Sequence, residues 1–171
     1  MTPTTNPAAP AHPGAADPRV ADPRVADPRA ADSRAAGRVG AVVGTEVTHR
    51  RYVPYSHAHY AGNLVDGAYS LAAFGDVATE MCIRTDGDEG LFASYSDVQF
   101  RAPVRAGDCI EICARLVRAG TRSRELDFEV RVIARGNPVR GESAADILDP
   151  PIVATTARGV VVVPPPPTTI Q

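Results

Sequence analysis

One long helical pattern followed only by strand patterns is the feature that most constrains the fold of this chain. Residues 64–84 are rich in alanine and carry apolar residues at helical spacing, which predicts one long helix. Downstream, apolar residues alternate strictly with polar ones from Leu126 to Val132, as in a strand with one buried face. One antiparallel sheet curled around one helix is the simplest packing of this order, so the sequence predicts an α+β fold.

Five strands are predicted from β-branched and apolar runs that end at proline or at glycine-containing turns. One strand precedes the helix and four follow it, at 42–53, 91–102, 109–117, 124–134 and 152–163. Residues 136–151 are predicted to form a loop, with a short helical turn around residues 144–148.

The folded domain is predicted to span residues 38–163, between two low-complexity ends. In residues 1–37, a five-residue unit that begins with Asp17 and Pro18 recurs, and its regular prolines remove hydrogen-bond donors and block helix formation. Residues 164–171 begin with four prolines. Both ends are therefore predicted to be disordered, which leaves a length that can bury one modest core.

Charge and composition exclude several classes of partner. The 171 residues include 18 basic and 20 acidic ones, for a formal charge of −2, which provides no electrostatic basis for binding nucleic acid or an anionic membrane. No apolar run approaches the roughly 20 residues that span a bilayer. The three cysteines form no metal-ligand pattern, and an odd number without an export signal indicates reduced thiols. We therefore expect a cytoplasmic protein.

The chemically unusual side chains lie before the predicted helix and along one of its faces. His57 and His59 precede it, and Asp76 and Glu80 are four residues apart, so the two acids share one stripe. A helix enclosed by a sheet has little solvated surface, so the acids are predicted to face a partner subunit, a pocket or the open edge of the sheet. An ordinary solvated acidic face is the alternative.

The same helical spacing assigns the other residues of the predicted helix to an apolar stripe and to positions beside the acids. The residues of the apolar stripe are spaced by three and four and are expected to face the core, whereas two further residues are expected beside the acids. The apolar set is Gly67, Leu71, Phe74, Ala78 and Met81, and the residues beside the acids are Tyr69 and Ala73.

A metal site at the two histidines is a weaker alternative. A His-x-His pair can chelate zinc, but zinc needs a third protein ligand. His49 is the only histidine near the pair, and no glutamate follows at a motif spacing. No metal is therefore expected.

Several strings of residues resemble hot-dog-fold proteins. Residues 100–108, Phe-Arg-Ala-Pro-Val-Arg-Ala-Gly-Asp after a helix, are similar to hot-dog proteins that act on acyl-CoA thioesters. Residues 59–67, His-Tyr-Ala-Gly-Asn-Leu-Val-Asp-Gly, together with 74–80 and 86–92, resemble more narrowly the 3-aminobutyryl-CoA ammonia-lyases of lysine fermentation. The resemblance covers about residues 50–135 of the chain.

The resemblance implies a single hot-dog domain with one long central helix and a CoA-thioester ammonia-lyase activity. The implied reaction is the reversible elimination of ammonia from 3-aminobutyryl-CoA, or a similar β-aminoacyl-CoA, to give crotonyl-CoA. Alternatives are an acyl-CoA thioesterase, an enoyl-CoA hydratase and a non-catalytic acyl-CoA-binding protein. The resemblance implies no cofactor beyond the coenzyme A of the substrate. It also implies a homo-oligomer, at least a dimer with a shared pocket, with a hexamer as a further option.

Such an elimination needs a base for the α-proton, donors for the enolate oxygen, and a group that handles the amine proton. The backbone amides of Gly67 and Ala68 suit the enolate, because free amides and the helix dipole favour negative charge there. Amides at this helix start have that role in the hot-dog family. His59 and Asp76 are the first candidates for proton transfer, followed by His57 and Glu80.

Four further residues have alternative interpretations. Asn63 either binds substrate or caps the helix, and Asp66 belongs to the same predicted substrate-binding segment and is a second possible cap. Arg122 and Arg124 either contact the phosphates of coenzyme A or belong to a solvated turn. Many hot-dog thioesterases carry an acidic residue where His59 stands, which disfavours plain hydrolysis here.

Overall fold

The computed structural model describes residues 40–165. The predicted disordered ends, 1–37 and 164–171, fall outside this part of the chain apart from Pro164 and Pro165. The described chain forms one helix and five strands, with two short 3₁₀ turns at Tyr55–His57 and Ala61–Asn63. In chain order they are β1 (Glu46–Tyr52), α1 (Gly67–Asp86), β2 (Leu91–Phe100), β3 (Cys109–Ala119), β4 (Ser123–Gly136) and β5 (Ala145–Val162).

The five strands form one antiparallel sheet in the order β1-β3-β4-β5-β2. Helix α1 packs against this sheet and contacts all five strands, so the sheet encloses one side of the helix. The predicted α+β architecture is confirmed. β1 and β2 are the two edges, and the segment that contains His57 and His59 connects the edge strand β1 to the start of α1.

The buried stripe of α1 differs from the predicted one. Gly67 and Leu71 are only partly buried, and Ala73, predicted to lie beside the acids, is 1% exposed. The core-facing side is therefore rotated toward Ala73 and Val77, because the sheet contacts a broad face of the helix rather than one narrow stripe. Its buried residues are Ser70, Ala73, Phe74, Val77, Ala78, Met81, Cys82 and Thr85.

Helix α1 begins three residues later and ends two residues later than the predicted range 64–84. The amide of Val65 donates to the carbonyl of Val104 at 3.1 Å, which holds the preceding residues in an extended conformation. The carboxylate of Asp66 then caps the helix, because its Oδ1 accepts from the Tyr69 amide at 2.9 Å. At the other end, Gly87 adopts a left-handed conformation with φ 71° and donates to Ile83.

The predicted loop at residues 136–151 is wrong over half of its length. Strand β5 already begins at Ala145, and the short helical turn predicted at 144–148 is strand instead. Residues Ala145–Ile147 pair with Ala134–Gly136 of β4. Pro150 and Pro151 lie where the register shifts between the β4 residues Val132 and Ala134, so their missing amide donors do not interrupt a regular ladder.

Four aromatic rings join the helix to the sheet. Phe74 of α1 stacks on Phe128 of β4 at a centroid distance of 4.9 Å, and Phe92 stacks on Tyr95 of β2 at 4.1 Å. The Tyr95 hydroxyl donates to the carbonyl of Leu71 at 2.9 Å, and burial raises the pKa of Tyr95 to about 12. This cluster fixes the rotation of α1 relative to the sheet.

Gly159 of β5 leaves the space that these rings occupy. A Cβ atom at this position would lie 2.7 Å from Cζ of Phe92 and 3.0 Å from Cε2 of Phe128. We predict that Gly159→Ala lowers the free energy of unfolding by about 1–3 kcal/mol, since overpacking a buried cluster costs that much.

Denaturant unfolding of both proteins measures this difference. Gly136→Ala is the matched control, because a Cβ at Gly136 meets nothing within 4 Å and its substitution should change the free energy by much less. Equal stability of Gly159→Ala and the unchanged protein would contradict the described packing of the rings.

Candidate active site

A cavity of about 380 Å³ opens at the start of α1. Its walls come from the first turn of the helix, from the end of β2 at Phe100, and from the segment that follows β2, which includes Pro103. Gly67 forms part of the wall, and the Phe100 ring lies so close that a Cβ at position 67 would be 2.7 Å from it. Glycine therefore permits the close approach of the Phe100 ring to the helix start.

Two amides of the first helical turn, those of Gly67 and Ala68, are free to bind a ligand. Tyr69 donates to the Asp66 carboxylate, but the amides of Gly67 and Ala68 have no acceptor within residues 40–165. Gly67 lines the cavity, whereas Ala68 is exposed and does not. A carbonyl oxygen that enters the cavity would thus meet the positive end of the helix dipole at Gly67.

The two candidate caps are distinguished by the structure. Asp66 is the N-cap and also lines the cavity. Asn63 is not the cap: it is exposed, has φ 60°, and its carbonyl accepts from the Ala106 amide at 2.8 Å. Asn63 therefore anchors the segment before the helix to the turn before β3, and it does not line the cavity.

Both candidate histidines are exposed in the segment between β1 and α1. The His57 ring contacts the Tyr69 ring edge to face at a centroid distance of 4.9 Å. The His59 ring contacts Tyr60 at 4.4 Å, and its amide donates to the carbonyl of Leu64 at 2.8 Å. The backbone around His59 is thus held in place, while the imidazole is accessible to a ligand or a second subunit.

Asp76 faces the edge strand β1, where Arg51 donates to its Oδ2 at 2.5 Å. The bond to Asp76 is the main reason that the pKa of Arg51 is raised, and the nearby Tyr69 adds to the increase. The Asp76 side chain remains 54% exposed, and its Oδ1 has no partner within residues 40–165. That oxygen is therefore open to a ligand.

Glu80 lies one turn further along α1 and also faces β1. Its carboxylate is bonded to His49 Nε2 and accepts from Arg84 Nε at 2.7 Å. The bond to His49, assisted by Arg84, holds the pKa of Glu80 below its ordinary value near 4.5. A lowered pKa makes Glu80 a weaker base, so the structure favours a structural part for this residue over proton transfer.

We call Tyr69, Asp76 and Glu80 of α1, with His49 and Arg51 of β1, the carboxylate strip. Of the three predicted surroundings of the two acids, a partner subunit, a pocket or the open edge of the sheet, these contacts fit the edge strand β1. The strip and the cavity are separate within one chain, because Asp76 lies nine residues beyond Gly67, or about 14 Å along the helix axis.

The structure thus separates the eight predicted site residues into two groups. Asp66 and Gly67 line the cavity. The others, His57, His59, Asn63, Ala68, Asp76 and Glu80, lie outside it.

Two buried hydroxyl groups of the cavity were not predicted. Ser70 and Thr155 are each 2% exposed, line the cavity, and are joined by a hydrogen bond of 3.1 Å. Ser70 lies three residues after Gly67, so helical spacing could have indicated it. Thr155 is 85 residues further along the chain, and no sequence signal connects the two.

The prediction that Arg124 contacts coenzyme A or solvent is wrong. Arg124 is 6% exposed and forms a bidentate pair with Asp86 at the end of α1, and it also donates to the carbonyl of Gly120 at 2.8 Å. Arg122 is exposed and donates to the carbonyl of Val163 at 3.1 Å. The buried pair connects the helix end to the β3–β4 turn, which is a structural role.

Within residues 40–165, no group of three histidine, cysteine or acidic side chains is arranged to hold a metal ion. His49, the third histidine considered beside His57 and His59, is bonded to Glu80 instead. In the same part of the chain, no helix combines the length and the hydropathy of a membrane span.

A sheet enclosing one long helix, with a cavity at the helix start, defines a hot-dog protein. Residues 62–137 match the Thioesterase superfamily. The structure is similar to the β-alanyl-CoA:ammonia lyase of Clostridium propionicum, with a TM-score of 0.67, 35% identity, and coverage of 71% of this chain and 87% of that one. A hexameric hot-dog-fold thioesterase of Campylobacter jejuni shares the fold at a TM-score of 0.57 and 20% identity, covering 68% and 81% of the two chains.

The sequence is more similar still to a second ammonia lyase. It is 50% identical over 102 residues to the 3-aminobutyryl-CoA ammonia lyase of Acetoanaerobium sticklandii, which covers 60% of this chain and 81% of that protein. The chain therefore belongs to the acyl-CoA ammonia-lyase family of hot-dog proteins, as its resemblance to that family predicted.

The ion pairs of Glu80 lead to a prediction about pH. Because the folded-state pKa of Glu80 is lowered, its stabilising contribution is complete above its ordinary pKa near 4.5 and is lost as the pH falls through the lowered value. We predict that Glu80→Gln lowers the free energy of unfolding at pH 6, and that its difference from the unchanged protein shrinks as the pH falls below about 4.5.

Denaturant unfolding between pH 3 and pH 7 measures this difference. Glu142→Gln is the control, since Glu142 is exposed and forms no ion pair within residues 40–165, so its substitution should not change the pH dependence. A stability difference for Glu80→Gln that stays constant over the whole range would show that the described ion pairs do not form.

Proposed function

We propose that this protein is a CoA-thioester ammonia-lyase that reversibly eliminates ammonia from 3-aminobutyryl-CoA, or a similar β-aminoacyl-CoA, to give crotonyl-CoA. The observation that carries the proposal is the 50% identity to the lyase of Acetoanaerobium sticklandii over 81% of that protein. The similarity to a second lyase that acts on a β-aminoacyl-CoA supports the same reaction class. Coenzyme A enters as part of the substrate, and no other cofactor is required.

The start of α1 supplies the hydrogen-bond donors that the first step, removal of the α-proton, needs. Removal of the α-proton places negative charge on the thioester oxygen, and the free Gly67 amide beside the cavity is a donor for that charge, with Ala68 next to it. The helix dipole favours the same charge distribution. The electron pair left on the α-carbon then forms the carbon–carbon double bond, the C–N bond breaks, and the nitrogen leaves with the C–N electron pair as ammonia.

Proton transfer is assigned to His59 and Asp76, with His57 as the secondary candidate and Glu80 last, because the ion pairs of Glu80 lower its pKa. His59 is exposed, and Oδ1 of Asp76 has no partner within residues 40–165, so both side chains are open to a ligand. Neither lines the Gly67 cavity of its own chain. A site completed by a second subunit would bring such groups to the cavity, so the proposal includes a homo-oligomer of at least two subunits.

The proposal extends to assembly and cellular context. Hexameric assembly is stated for the thioesterase of Campylobacter jejuni that shares the fold, and a hexamer is therefore the larger assembly to test. A cytoplasmic location and a place in lysine degradation complete the proposal. Analytical ultracentrifugation of the full chain would distinguish a monomer, a dimer and a hexamer.

Thioester hydrolysis is the second candidate, because residues 62–137 match the Thioesterase superfamily. One incubation with crotonyl-CoA, with and without ammonium, separates the activities. Loss of the enoyl absorbance that requires ammonium is expected for the lyase. Release of free thiol would indicate a thioesterase, and loss of absorbance without ammonium would indicate a hydratase. Tight binding without turnover would indicate a non-catalytic acyl-CoA-binding protein.

The proton-transfer assignment leads to a prediction about single substitutions. We predict that His59→Ala or Asp76→Asn lowers kcat for ammonia elimination by about 10²- to 10⁴-fold, as expected for the loss of a general acid or base. Initial rates of crotonyl-CoA formation measure the effect.

The matched control is Glu111→Gln. Glu111 is also an ion-paired carboxylate, bonded to Arg50 at 2.9 Å, but it belongs to the face of β3 that points away from α1. Its substitution should leave kcat unchanged. Unchanged rates in both His59→Ala and Asp76→Asn would remove these residues from the mechanism.

A further inference from the structure

We infer that Ser70 and Thr155, together with the Asp66 carboxylate, form the subsite that binds the ammonium group of the substrate and selects β-aminoacyl-CoA over plain acyl-CoA. This inference rests on the proposed ammonia-lyase function and specifies which residues recognise its substrate. It assigns a role to two side chains that the proton-transfer scheme does not use.

The hydrogen-bonding capacity of Ser70 and Thr155 is the first reason. The other buried polar side chains of the described chain bond to charged groups or to the backbone: Asp108 is paired with Arg135, Arg124 with Asp86, and Thr85 donates to the Met81 carbonyl. Ser70 and Thr155 differ, because within residues 40–165 their side chains bond only to each other, with Thr155 donating.

That single bond leaves capacity on both hydroxyl groups. Each hydroxyl has one proton and two lone pairs, so most of their acceptor capacity is unused at the wall of a cavity. Buried polar groups are normally hydrogen-bonded. Lone pairs without a donor at the wall of a cavity are therefore available to accept a hydrogen bond from a ligand.

The position of Asp66 is the second reason. Asp66 and Ser70 are four residues apart and line the same cavity, so their side chains lie on one face of the helix start. Oδ1 of Asp66 accepts from the Tyr69 amide, but Oδ2 has no partner within residues 40–165. A negative oxygen and two hydroxyl oxygens therefore surround one side of the cavity.

This combination matches the three parts of a β-aminoacyl thioester. An ammonium group has three donors and no acceptor, so it needs a set of acceptor oxygens such as these. The apolar walls formed by Val65, Phe100 and Val104 suit a short hydrocarbon chain. The Gly67 amide at the same cavity is the donor for the thioester oxygen. A plain acyl chain would leave the acceptors unpaired, which disfavours its binding.

The experiment compares two ligands that differ by the amino group. The KM for 3-aminobutyryl-CoA and the inhibition constant of butyryl-CoA are measured for the full chain and for Thr155→Val, Ser70→Ala and Asp66→Asn. Asp66→Asn keeps an oxygen that can accept from the Tyr69 amide while it removes the charge. We expect KM to rise roughly tenfold or more, the value of a hydrogen bond to a charged group, and the inhibition constant to change less than twofold.

Two controls separate recognition from folding. Thr155→Ser keeps the hydroxyl and should preserve the preference for the amino ligand. Thr85→Val removes another buried hydroxyl that bonds to the Met81 carbonyl and does not line the cavity, so it should leave the preference unchanged. Parallel weakening of both ligands in Thr155→Val, or an unchanged preference in all three substitutions, would overturn the inference.

The test of the subsite can be interpreted whether or not the protein proves to be an ammonia-lyase. If the unchanged protein converts crotonyl-CoA in the presence of ammonium but the substitutions do not alter the preference, the lyase stands and the subsite is rejected. If the unchanged protein shows no turnover, dissociation constants from calorimetry replace KM. A loss of preference in the substitutions then supports the subsite although the lyase proposal fails.

Discussion

The packing of α1 against the sheet determines where the cavity and the carboxylate strip lie. Phe74, Val77 and Met81 have no exposed surface, and the stack of Phe74 on Phe128 fixes the rotation of the helix. Burial of three such side chains stabilises the fold by several kcal/mol, at about 1.5–3 kcal/mol each. Because the helix cannot rotate, its remaining faces have fixed neighbours. One face is held against the edge strand β1, and the first turn is held against the segment that follows β2.

Helix α1 therefore carries two separate sets of polar groups, free amides at its start and ion-paired acids further along. At its start, the Asp66 cap satisfies the Tyr69 amide but leaves those of Gly67 and Ala68 free, which places donors beside a cavity. Further along, Arg51 and His49 pair with Asp76 and Glu80. The two free amides are thus positioned by backbone geometry, whereas the acids are positioned by ion pairs between the helix and β1. A substitution in β1 can therefore change the acids without affecting the helix start.

Local patterns in the sequence were sufficient for the parts of the fold that depend on periodicity. The alternation from Leu126 to Val132 predicted β4, since a strand with one buried face must alternate. The helix boundaries were less accurate because they depend on bonds to distant residues, such as that from Val65 to Val104. The early start of β5 was missed because Pro150 and Pro151 suggest a loop, although an irregularity in the ladder accommodates both.

The candidate site shows the same limit, because contacts between residues distant in the sequence could not be predicted from local patterns. Gly67 and Asp66 could be predicted because a capped helix start is a local signal. The stripe of Asp76 and Glu80 could be predicted from helical spacing, but their partners Arg51 and His49 could not, since those are 25 and 31 residues away in sequence.

Ser70 and Thr155 show the difference most clearly, because each is an ordinary small hydroxyl residue in its local sequence. Only the antiparallel pairing of β5 beside β2, over a helix whose rotation is fixed, brings Thr155 to Ser70. Where a side chain has no distinctive local context, its role depends on the element that it faces. The free amides at the helix start are therefore encoded locally, but the pair of hydroxyl groups in the cavity wall is encoded by the topology of the sheet.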